Sequence, residues 1–64
     1  MSSNKPAKGE RIRILNGYFE GMEGAVVDEL ALMFTVEVPL TGANPVTVFL
    51  YYDPMKGDDW ELIL

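Results

Sequence analysis

From Arg11 the chain sets isoleucines against arginines, Arg11-Ile12-Arg13-Ile14, an alternation of period two that marks a strand with one buried face. It predicts a first strand over residues 11–15. A second follows over 23–28, where Val26 and Val27 supply the β-branched side chains that suit a pleated surface. In the third, Phe34, Val36, Val38 and Leu40 alternate with Thr35, Glu37 and Pro39, so one face is apolar and the core lies beneath it. Pro39 has no amide to donate and fits a strand end or an edge. In the fourth, Val46, Val48 and Leu50 alternate with Thr47, Phe49 and Tyr51, and in a short fifth Trp60, Leu62 and Leu64 alternate with Glu61 and Ile63.

The connections carry their own signals. Asn16-Gly17 is a turn dipeptide, and Gly21 and Gly24 follow within NGYFEGMEG, too glycine-dense for a helix, so Gly17, Gly21 and Gly24 are read as structural glycines at tight bends. Residues 41–45, TGANP, concentrate turn formers, and Asp53, Pro54, Gly57, Asp58 and Asp59 break the chain before Trp60. Leu30, Ala31, Leu32 and Met33 fall where a hairpin tip is expected, a place normally polar and glycine-rich. Five short strands without an amphipathic helix predict an all-β domain closed into a small five-stranded barrel over 9–64, preceded by a flexible segment, 1–8.

Composition narrows the chemistry. With 64 residues and no cysteine, the chain makes one domain without a disulfide, a thiolate nucleophile or a cysteine-built zinc site. It has no histidine, which removes the commonest general base and metal ligand. Glu20, Glu23, Asp28, Glu29, Asp53, Asp58 and Asp59 could in principle supply a carboxylate pair, but a barrel this small has no cleft to exclude water around one, and the expectation is a non-enzyme. DPMKGDDWE lacks the alternate-position acids of a calcium loop and reads as a soluble turn, and no cofactor is expected. The first residues hold no signal-like apolar stretch and no run is long enough to span a bilayer, so a cytoplasmic location without membrane contact is expected.

Charge is unevenly spread. Lys5, Lys8, Arg11 and Arg13 stand against Glu10 up to Asn16; from Gly17 onward one lysine faces nine acids, giving a net charge of -5. A phosphate-binding surface needs a basic face, so this balance disfavours RNA or DNA as the main partner, while Arg11, Arg13 and Tyr18 remain the place where a base or phosphate contact would fall. If Val46, Val48 and Leu50 point inward, Phe49 and Tyr51 point outward, and with Leu30, Ala31, Leu32 and Met33 they would make a protein-binding or self-association surface.

The stretch GERIRILNGYFEGMEGAVV, with the weaker continuation FTVEVPLTGANPVTVFLYY, resembles the KOW motif of ribosomal proteins and of the carboxy-terminal domain of the transcription elongation factor NusG. GERIRIL and GMEG are also similar to small SH3-like accessory subunits, the PsaE-like and ferredoxin-thioredoxin reductase variable-chain types. The KOW resemblance implies an SH3-like barrel and an adaptor role in a transcription- or translation-associated complex. It places partner docking on Phe19, Val38 and Leu40, beside the outward Phe49 and Tyr51 read from the strand pattern; a monomer or weak homodimer is expected. The alternatives it leaves are RNA binding through the first strand and glycine loop, and an accessory role in a redox complex.

Overall fold

The computed structural model describes residues 5–63. Its strands are β1 (Arg11–Ile14), β2 (Glu23–Glu29), β3 (Met33–Leu40), β4 (Ala43–Tyr51) and β5 (Trp60–Ile63), with a single 3-10 turn, η1 (Pro54–Lys56), before the last. All neighbours pair antiparallel in the order β4-β3-β2-β1-β5. The alternation read from the sequence sorts the faces as expected. Ile12 and Ile14, Val26, Phe34, Val36, Val38 and Leu50 are buried on one side, and Phe19, Leu40, Val48, Tyr52, Trp60 and Leu62 pack against them.

Two bulges modify the ladders. Val27 is the extra residue between Val26↔Val36 and Asp28↔Thr35, and β4 gains one between Leu40↔Ala43 and Val38↔Val46, over Asn44 and Pro45. Bulges increase local twist, and the apolar face packs on itself at the sheet's ends, where Phe34 of β3 meets Trp60 of β5 edge-on at 5.0 Å between ring centres. Tyr52 stacks on Phe34 at 5.2 Å between ring centres.

The expected barrel does not form. Closure requires β4 and β5 to pair, and they do not: the sheet is open, with β4 and β5 as its two edges. The physical reason lies at the end of β4. The Tyr51 N–H donates to Asp58 Oδ2 at 3.0 Å, and the Tyr51 carbonyl accepts from Trp60 Nε1 at 3.0 Å, so side chains occupy the groups that would begin a β4–β5 ladder. Pro45, near the other end, has no N–H to offer. The reading of the chain as an SH3-like barrel with a KOW motif, NusG-like or PsaE-like, is therefore corrected to an open five-stranded antiparallel sheet.

Local geometry explains the glycines without the barrel. Gly17 and Gly21 have φ of +84° and +88°, the left-handed region, and the Gly21 N–H donates to the Ile14 carbonyl at 2.7 Å to close the β1–β2 connection. Gly24 is different: a Cβ there would lie 2.7 Å from the Glu37 carbonyl oxygen and collide with Val36 Cγ1. It lets β2 lie close on β3. Of residues 5–8, part of the segment read as a flexible lead, Pro6 alone is buried and the others are exposed. Lys5 Nζ sits 5.1 Å from the centre of the Tyr52 ring, and the Lys8 N–H donates to Glu29. Residues 1–4 of that segment lie outside the described residues.

Candidate functional site

The hydrogen-bond phase of β4 decides what its edge offers. In an antiparallel ladder, residues alternate between pointing their N–H and C=O at the partner strand and pointing them away. Tyr51 points away from β3, since Asp58 and Trp60 take both its groups, and the register is unbroken from Met33↔Tyr51 to Val38↔Val46. Phe49 and Thr47 therefore also point away from β3, while Leu50, Val48 and Val46 face it. The same phase carries through the sheet: Val26, opposite Val36, turns its groups to the other side, with the Val26 N–H donating to Glu10 and its carbonyl accepting from Gly9, both at 2.8 Å. Among the described residues nothing hydrogen-bonds the outward groups of Thr47 and Phe49. The edge is thus a short open window bounded by Pro45 and by the capped Tyr51.

On the outer face beside this window, Phe49 stands among Thr35, Thr47 and Tyr51. Phe49 is 56% exposed, next to Thr35, which its neighbours bury to 7%. No charged residue occurs in β4, ANPVTVFLY. Toward the β3–β4 turn, Pro45 and Pro39 wall an open groove of about 340 Å³ whose remaining lining is Gly24, Ala25, Arg11 and Glu37. Arg11, Ala25, Glu37 and Thr47 follow one another across β1 to β4, so groove and Phe49 share a face.

The expected docking residues separate. Phe49 is exposed and Tyr51 half-buried on the outer face, whereas Val38 is buried in the core and Leu40 packs against it. Phe19 also packs on the core and meets Tyr18 edge-on at 4.9 Å, leaving Tyr18, at 91% exposure, as the ring the glycine loop presents. Leu30 and Leu32 at the β2–β3 tip are exposed, and Met33 begins β3 half-buried. Sequence reasoning missed the capping of Tyr51. The signal was there in Asp58 and Trp60 following a charge-free strand, but only the register shows which of its amides need partners.

The basic first strand is occupied. Arg11 donates to Glu23 at 3.1 Å, and Arg13 bridges Glu23 at 3.1 Å and Glu61 at 2.6 Å, tying β1 to both neighbours. The hydrogen bonds to Glu23, first, and Glu61 raise the Arg13 pKa above its ordinary value. Acids of the last connection serve the backbone: Asp53 accepts from the Met55 N–H at the start of η1, and Asn16 bridges from Gly57 to Asp59. Among the described residues no three acids converge as metal ligands, and no helix is long and apolar enough to cross a membrane. No protein-family model matches the sequence, and comparison with curated proteins and with solved structures gives no significant match.

Proposed function

We propose that this chain is a non-catalytic protein-interaction module of the cytoplasm that docks a partner on the outer face of β4. The observation that carries the reading is Phe49, an exposed ring in a strand without charge, on the face that also holds the Pro39–Pro45 groove. An exposed ring in a strand without charge can serve as an anchor, and aromatic anchors carry a large share of binding energy at protein interfaces. RNA binding draws less support, because Arg11 and Arg13 already face glutamates and the chain's net charge is -5. An adaptor role in transcription or translation, or in a redox complex, rested on the barrel resemblance and is not carried further.

The test is affinity capture from a lysate of the source cells with the wild-type chain and with Phe49→Ala. An exposed position makes the substitution nearly neutral for folding, within about 1 kcal/mol, which denaturant unfolding checks. Loss of an aromatic anchor weakens partner retention by about tenfold or more. Recovery of the same proteins in equal yield by both chains defeats the proposal.

A further inference from the structure

The open window on β4 has the dimensions of its own complement. Its free groups are the N–H and C=O of Thr47 and of Phe49, between Pro45, which lacks a donor, and Tyr51, whose donor and acceptor are taken by Asp58 and Trp60. We infer that the window takes a second copy of this chain, the two β4 strands pairing antiparallel about a twofold axis at Val48. This goes beyond the proposed docking face, since it concerns the backbone edge and needs no foreign partner.

The register follows from the backbone alone. Pairing Thr47 with Phe49 of the other copy, and Phe49 with its Thr47, satisfies every free N–H and C=O of both windows, with Val48 opposite Val48. Shifting the axis to Thr47 sets Phe49 against Pro45, which donates nothing, and shifting it to Phe49 sets Thr47 against the capped Tyr51. Only the Val48 register closes the window.

Side chains agree with it. On the outer face the exposed Phe49 of each copy lies between its own Thr35 and the Thr47 of the other, and on the inner face the half-buried Val48 side chains meet. Cross-strand pairs of aromatic and β-branched residues are favourable. A charge-free strand also matters for a chain of net charge -5, because like charges do not face each other across the new ladder. The overall repulsion of two acidic copies persists at longer range and is screened by salt. So short a ladder buries little area, and the association belongs to the weak class.

The purified chain supplies the test. Sedimentation velocity over rising concentration gives a monomer–dimer equilibrium, with a dissociation constant on the order of 1 mM or below, and added salt strengthens it. Thr47→Pro removes an outward donor from each copy without touching the β3–β4 ladder, and weakens dimerisation about tenfold or more. Val48→Cys reads the register in a chain that has no cysteine of its own. At the axis the two positions form a non-hydrogen-bonded pair about 4.5 Å apart, within reach of a disulfide. Mild oxidation with oxidised glutathione therefore links Val48→Cys into a covalent dimer much faster than the more exposed Thr47→Cys, which records random collision. A chain that stays monomeric at about 1 mM, dimerisation unchanged by Thr47→Pro, or equal crosslinking of the two cysteine variants overturns the inference. The first of these outcomes returns the edge to a strand from another protein and leaves the docking face at Phe49 untouched.

Discussion

Gly24 shows how one residue fixes the approach of two strands. Its missing Cβ is where Val36 Cγ1 and the Glu37 carbonyl oxygen already stand, and one of these neighbours is backbone, which cannot rotate aside. Gly24→Ala is expected to cost about 1–3 kcal/mol, the range of overpacking in a tight core, measured as a lower denaturant midpoint. An effect near zero would mean that β2 and β3 lie further apart than described. That glycines were needed in NGYFEGMEG was legible from their density. Which need each one met was not, because Gly17 and Gly21 answer to their own φ while Gly24 answers to residues twelve and thirteen positions away. Phe19 and Tyr18 make the same point: adjacent aromatics are alike in sequence, and only packing sends Phe19 to the core and Tyr18 to solvent.

At the scale of elements, alternation placed β1, β3, β4 and β5, and the β-branched pair Val26-Val27 placed β2. The β3–β4 turn was misread because Asn44 and Pro45 are turn formers. The strands instead resume directly after Thr41-Gly42, with Gly42 at φ +72°, and Pro45 is accommodated at the bulge of an edge strand. The 3-10 turn η1 was not anticipated; it forms where Asp53 caps the Met55 N–H, Pro54 opens the turn and Gly57 ends it in the left-handed region. Beside it, Tyr52 leaves β4 to stack on Phe34, a contact that joins the end of one strand to the start of another. Partial burial, and then the nearby Glu29, raise the Tyr52 pKa above its ordinary value. A phenol whose folded pKa is raised contributes stability that is complete below the unfolded value of about 10 and lost as pH rises through the folded one. Denaturant unfolding at pH values on either side of that range is expected to show the wild type losing stability while Tyr52→Phe, which keeps the ring stacked, loses less. Equal losses in the two chains would place the alkaline sensitivity elsewhere.

The whole molecule turns on whether its sheet closes. A local motif of strand, glycine loop and valine pair is compatible with a barrel and with an open sheet alike, because closure depends on how the fourth strand meets the fifth, far apart in every local pattern. Here Asp58 and Trp60 take the groups of Tyr51 and Pro45 withholds a donor, so β4 remains an edge with Thr47 and Phe49 unpaired. Long apolar edges are usually blunted by charge, proline or cover. This one is blunted at both ends, by Pro45 and by the capping of Tyr51, and open in the middle.

Site-resolved amide hydrogen exchange tests that account most directly. In dilute solution the Thr47 and Phe49 amides are expected to exchange at nearly unprotected rates while Val46, Val48 and Leu50, bonded to β3, exchange slowly, and raising the concentration should slow Thr47 and Phe49 selectively. Strong protection of Thr47 and Phe49 at every dilution would show the edge to be covered within a single chain, and would contradict the open sheet.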